Sequence, residues 1–169
     1  MATDGITAVS DLKALSPTQL LSLYAQVSDE LRERGVVRSA NNPTGDLAEH
    51  LFCKAYGWKQ AGQAHPAADA TGEDGKLYQI KERRWNAQNK SRVLGALRAL
   101  PDGGFDFLAA VLFRSDYTIE RAAIIPHALV LDKSHYHEHT NSWRFLLRDA
   151  VWKLPSVEDA TDRLRAVVF

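Results

Sequence analysis

Asp69, Gln79 and Lys81 are the residues of this chain whose types and spacing could act together in a reaction, with Ile80 between the last two and Glu49 upstream of them. Hydrolysis of a phosphodiester needs groups of this kind. A divalent cation polarises the phosphate and lowers the pKa of a bound water. Hard oxygen ligands hold that cation, and Mg²⁺ takes few of them from the protein while keeping several waters. A fixed positive charge orients the nucleophile and offsets the charge that develops. Asp69 can supply the main carboxylate. The Gln79 amide oxygen or the backbone carbonyl of Ile80 can ligate, Lys81 can position the attacking water, and Glu49 can add a second carboxylate directly or through water.

These residues need a hairpin and a helix to bring them together. Residues 66–85 read as a β-hairpin turning at Gly72-Glu73-Asp74-Gly75. The strand from Lys76 to Arg84 alternates, so Leu77, Gln79, Lys81 and Arg83 share one face, while Tyr78, Ile80 and Glu82 share the other. Asp69 joins the Gln79 face if it pairs opposite Gln79. That register requires a loop centred on Asp74, with Gly75 in the left-handed region and a bulge. A tight Asp74-Gly75 turn would pair Asp69 with Ile80 and put the acid on the wrong face.

Glu49 belongs to a helix of roughly 46–56, opened by Thr44 or Gly45 and ended by Gly57. Leu47, Ala48, Leu51, Phe52 and Ala55 form its apolar stripe, and Glu49 flanks it. An earlier helix starts at Ser16-Pro17-Thr18-Gln19, with Ser16 as N-cap, Pro17 at the first position and Gln19 three after the cap. It carries Leu20, Leu23, Tyr24, Val27 and Leu31 at helical spacing and ends at Gly35. It reads as a packing arm and the candidate interface of a homodimer.

After the hairpin, Ser91–Leu100 reads as a helix closed by Pro101-Asp102-Gly103-Gly104. Asp106 marks a strand start, and Phe105–Phe113 is an apolar run expected to be buried on both faces. Tyr117–Ile125 returns as a strand ended by Pro126, and His127 begins a turn. Residues 127–142 read as irregular and polar, Trp143–Leu147 as a short strand, and Ser156–Asp159 as the cap of a last helix reaching about Ala166. The order gives an α/β chain with a central mixed sheet. It divides into an N-terminal helical arm (1–40) and an α/β body (41–169) within one domain.

Composition narrows the function classes. The chain has 169 residues, 45% hydrophobic and 25% charged, ordinary for a globular domain with a real core. No apolar run approaches the length of a membrane span, and the first residues lack the basic start and apolar stretch of a secretion signal. Cys53 is the single cysteine, so no internal disulfide can form; a reducing cytoplasm and a buried small hydrophobe fit it. Lysine plus arginine and aspartate plus glutamate each number 21, and the net charge of zero weighs against tight non-specific nucleic-acid binding. The positive charge is nevertheless concentrated. Residues 81–92 hold Lys81, Arg83, Arg84, Lys90 and Arg92 against one acid, Glu82. They can contact phosphates beside the scissile bond, with Trp85 stacking on a base. His135, His137 and His139 suggest zinc at first sight, but alternate residues of a strand offer one face and no partner Cys or His matches them, so an exposed loop is expected. His50 and His65 lie near the candidate site without a spacing that argues for a role. Asp69 as a turn cap and Lys81 as a solvated strand residue are the plain alternatives.

The arrangement resembles the PD-(D/E)XK, or restriction-endonuclease-like, nuclease superfamily. The resemblance rests on Glu49 in GDLAEHL, Asp69 in PAADAT and Gln79-Ile80-Lys81 in LYQIKERRW, spans about residues 45–125, and extends weakly to HTNSWRFLL around Trp143. More narrowly, the chain resembles uncharacterised bacterial proteins of that superfamily with a QxK variant motif. The resemblance implies a helix, a hairpin bearing these residues, a further helix and another core strand. It also implies Mg²⁺-dependent cleavage of DNA, with Mn²⁺ as a substitute, leaving 5′-phosphate and 3′-hydroxyl ends, and often a homodimer. Two departures stand out. Pro66 precedes Asp69 by three positions, and Gln79 stands where the usual second acid would be, a weaker ligand than a carboxylate. That leaves an alternative of a second class: a catalytically degenerate nuclease-fold module that binds nucleic acid or a partner protein.

Overall fold

The computed structural model describes residues 12–61 and 67–169; Pro66 and His65 lie outside the described residues. Helix α1 (Pro17–Glu33) starts as its sequence dictates. Ser16 accepts a hydrogen bond from the Gln19 N–H, and the Gln19 side chain accepts one from the Ser16 N–H. None of its residues is buried, and Leu20, Leu21, Tyr24 and Val27 are exposed. Val36 and Val37, just past it, are buried. Helix α2 (Thr44–Tyr56) ends at Gly57 in the left-handed conformation (φ 69°). It buries Ala48, Leu51 and Phe52.

The sheet has six strands in the order β1-β2-β3-β4-β5-β8: β1 (Lys59–Gln60), β2 (Ala70–Thr71), β3 (Leu77–Arg84), β4 (Phe107–Phe113), β5 (Ile119–Pro126) and β8 (Glu158–Asp159). It is mixed, since β3 and β4 run parallel and the other neighbours antiparallel. Two further strands, β6 (His135–His137) and β7 (Ser142–Arg144), form a separate two-stranded sheet. Helices α3 (His127–Lys133) and α4 (Thr161–Arg165) complete the fold.

Strand β4 explains the layering. Leu108 to Phe113 are all completely buried, as a run apolar on both faces requires. Ala109, Val111 and Phe113 face a core shared with α2 and α4; Leu108, Ala110 and Leu112 face a second core with Leu94, Leu97, Leu100, Val130, Phe145 and Leu147. In the first core Phe52, Trp58, Tyr78 and Phe107 stack in succession, with Trp58 and Tyr78 ring centroids 3.7 Å apart. This ties β3 to the helix that carries Glu49.

Three expectations are corrected. Residues 91–100 are not a helix but an extended strap connecting β3 to β4, ending in a 3-10 turn at Leu100–Asp102. Leu94 and Leu97 donate their N–H groups to the carbonyls of Phe145 and Trp143, so these bonds are made across the fold rather than within a turn. Leu94, Leu97 and Leu100 are buried at every third position, a spacing that imitates a helix, while Gly95 and β-branched Val93 disfavour one. Residues 127–142 are not irregular: Val130 anchors α3 in the second core, and His135–His137 form a strand, although an exposed one. Glu158 and Asp159 do not merely precede the last helix. They form the edge strand β8, from which the Asp159 carboxylate accepts the Thr161 N–H at 3.0 Å.

Candidate active site

The turn between β2 and β3 sets the position of Asp69. Gly75 has φ 78°, its N–H bonds the Gly72 carbonyl at 3.0 Å, and the Gly72 N–H bonds the Lys76 carbonyl at 2.9 Å. The ladder then pairs Ala70 with Tyr78 and Thr71 with Leu77, the register centred on Asp74 that the Gln79 face requires. Asp69 lies in a bend just before β2. Its N–H donates to the Tyr78 carbonyl at 2.8 Å, and its own carbonyl accepts the Ala61 N–H at 3.0 Å. Its carboxylate takes a place in the ladder: Oδ2 accepts the Ile80 N–H at 2.7 Å and a hydrogen bond from the Gln79 amide. Four hydrogen bonds therefore hold this acid before any ligand arrives.

Lys81 is half-buried on the face of Gln79, its stem running past Gly95 of the strap, where a Cβ would come within 3.5 Å of Lys81 Cδ. Among the described residues its ammonium makes no ion pair or hydrogen bond. Glu49 approaches from the other side, because α2 packs against the Tyr78–Ile80 face of β3. It is ion-paired with Arg38, which also lies 3.6 Å from Asp46. Asp46 in turn accepts the N–H groups of Arg38 and Ser39, at 2.9 and 2.8 Å. Burial pushes the Glu49 carboxyl above its usual range, and the negative charge of Asp69 pushes it further; Arg38 opposes this, Asp46 adds to it and Lys81 opposes it more weakly. Glu49, Asp69 and Lys81 thus lie within one another's electrostatic reach.

Glu82 was not a sequence candidate. Alternation already turned it toward the α2 face. There burial raises its carboxyl, Lys81 and Arg83 counter this, and Asp69 reinforces it. Arg38 and Asp46 were also missed; the Asp46–Glu49 spacing of one helical turn was the available signal.

The basic segment is largely tied back to the fold. Trp85 donates its indole N–H to Glu120 at 2.6 Å, and Arg92 bridges Glu120 (3.2 Å) and Asp149 (2.7 Å). Arg84 lies 4.3 Å over the Tyr117 ring, and Arg83 donates to the Ser91 carbonyl at 3.3 Å. Lys90 is exposed. Elsewhere, His50 bonds the Gly35 carbonyl and stacks on Phe169, and His127 bonds the Leu100 carbonyl at 2.8 Å. Cys53 is half-buried, its thiol pushed up to about 11, first by burial and then by the charge of Glu49.

Among the described residues no three of His, Cys, Asp and Glu gather closely enough to hold a metal ion by themselves. The donors that could, the carboxylates of Asp69 and Glu49 with the Gln79 amide oxygen and the Ile80 carbonyl, are all hard oxygens, the kind Mg²⁺ takes. The mutual repulsion of Asp69 and Glu49 is what a divalent cation would relieve. Gln79 now presents its amino group to Asp69. Turned over, it would present its oxygen instead, a second hard ligand for such a cation. The residues present therefore fit such an ion. No described helix is long and apolar enough to cross a membrane. No protein-family model matches the chain, and no curated protein matches it.

Proposed function

We propose that this protein is a Mg²⁺-dependent DNA endonuclease of restriction-endonuclease-like fold, hydrolysing a phosphodiester with a metal-activated water. The observation that carries the reading is the Asp69 carboxylate, built into the ladder against Ile80 and Gln79, with Lys81 on the Gln79 face of the same strand. Bound Mg²⁺, or Mn²⁺ in its place, supplies a Lewis acid and a water of lowered pKa. Asp69 and Glu49 would hold it, with Gln79 and the Ile80 carbonyl as neutral ligands. Lys81 orients the attacking water and offsets the charge on the phosphate. Arg38 keeps Glu49 ionised for that purpose. Arg83, Arg84 and Lys90 are the cations placed to meet the neighbouring phosphates, and a pair of protomers would cut both strands.

Supercoiled plasmid incubated with the protein in Mg²⁺ or Mn²⁺ tests this. Nicking that disappears in EDTA and in Lys81→Ala supports it; a folded wild-type protein that leaves plasmids of varied sequence intact in either metal sinks it. The Gln79 amino group resting on Asp69 favours a second reading, a module of the same fold that binds nucleic acid or a partner protein without cutting. Such a module keeps its binding in Lys81→Ala and loses it when Arg83 and Arg84 are replaced.

A further inference from the structure

Beyond the end of β3, a cavity of about 450 Å³ opens between the first turn of α2 and the tight turn after Trp85, within the roughly 300–1,000 Å³ range of small-ligand sites. Its walls carry Asn42, Asn86, Asn89, Glu82, Arg83 and Arg84. The three asparagines share one feature. Each has its side-chain oxygen committed: Asn42 to the Thr44 N–H at 3.1 Å, Asn86 to the N–H groups of Gln88 and Asn89 at 3.0 and 2.8 Å, and Asn89 to the Ser91 N–H at 3.1 Å. Each amino group is left with no partner among the described residues. Asn86 and Asn89 also exchange main-chain hydrogen bonds, at 3.0 and 3.2 Å, so their turn is rigid.

Three amide donors line the cavity with Arg83 and Arg84, whose guanidinium groups are engaged by the Ser91 carbonyl and by Tyr117 and the Ser115 carbonyl, and with one carboxylate. That inventory suits a ligand rich in acceptor oxygens and negatively charged, not a cation. The cavity begins one residue past Lys81 on the same strand. We propose that it is a phosphate-binding subsite, seating a backbone phosphate of the nucleic-acid strand beside the phosphate held at Asp69. The assignment to a strand rests on the nuclease-fold reading; the anion chemistry does not. Glu82 limits affinity, because its charge opposes the phosphate in the same cavity.

The test is binding in EDTA, read as the fluorescence anisotropy of a short fluorescein-labelled single-stranded DNA oligonucleotide, with inorganic phosphate as competitor. Asn86→Asp and Asn89→Asp keep the oxygen that holds the turn and replace the donor with a negative oxygen. Each weakens oligonucleotide binding by about tenfold or more, as expected for a charge-assisted hydrogen bond turned into a repulsion, while melting as the wild type does. Glu82→Gln tightens binding. Unchanged binding in both Asp variants, or no binding of either oligonucleotide or phosphate by the wild type, overturns the proposal. If Asn86→Asp unfolds, Asn89→Asp decides alone. Phosphate that binds with the same variant dependence by isothermal titration calorimetry, while the oligonucleotide does not bind, overturns the assignment to a strand. Plasmid cleavage by wild type and Lys81→Ala separates the two claims: cleavage with no effect of the asparagine variants removes only the subsite, and their effect on binding without cleavage removes only the enzyme.

Discussion

Replacing Asp69 by alanine should destabilise the protein as well as remove the proposed cleavage. The Ile80 N–H lies in a residue only 4% exposed, and its acceptor is the Asp69 carboxylate at 2.7 Å. Removing that acceptor strands a half-buried donor, a cost of about 1–3 kcal/mol. At the middle of that range, roughly 2 kcal/mol, a chain of this length loses about 4–8 °C of Tm. Asp69→Asn keeps an oxygen for both Ile80 and Gln79 and gives up only the charge, so it should cost less than about half as much. Differential scanning calorimetry of the three proteins, with the metal chelated, reads both effects. Cleavage should be lost in both variants, so activity and stability separate. An Asp69→Ala protein that melts with the wild type would refute the claim that this carboxylate is a structural acceptor.

Glu49→Gln should behave oppositely. A carboxyl whose folded pKa is raised is held in its charged form at a cost, absent below the unfolded value near 4.5 and fully present above the folded value. The variant should therefore gain Tm over wild type at neutral pH, and the gain should vanish as the pH falls below that window; thermal melts at both ends check it. Gly75→Ala puts a side chain at φ 78° with open space around its Cβ, so the penalty is purely conformational, about 1 kcal/mol by urea titration. Arg92→Ala should lower stability by roughly 1 kcal/mol or less through its bridge to Glu120 and Asp149, whereas Lys90→Ala should leave the melt unchanged and weaken only nucleic-acid binding.

Elements whose hydrogen bonds stay local were legible in the sequence. Ser16 with Gln19, Gly57 at the end of α2 and Gly75 in the hairpin state their conformations in residue type, while alternation left two hairpin registers open and the ladder takes the one that sets Asp69 toward the Gln79 face. Where the partners lie far along the chain, local pattern misled. Leu94, Leu97 and Leu100 satisfy a helical spacing, but the strap is held by Trp143 and Phe145. Helix α3 was hidden by polar His127 and Lys133 flanking a short apolar centre. At the site, Asp69, Gln79 and Lys81 could be read from one hairpin. Of the balancing groups, Arg38 and Asp46 are held within the segment that opens α2, whereas Glu82 joins them only when α2 lies against β3.

The strap that walls Lys81 also sets the order in which the site is assembled. The hairpin bearing Asp69, Gln79 and Lys81 closes over a short turn, an event of microseconds. The strap that carries Gly95 beside the lysine is held by pairings of Val93 with Leu146 and of Leu97 with Trp143, closures over a long stretch of chain that are slow relative to a hairpin. On a ribosome the hairpin therefore emerges well before its wall. A nascent chain lacking the Trp143 segment would carry every proposed catalytic side chain without the pairings that hold the strap beside the lysine.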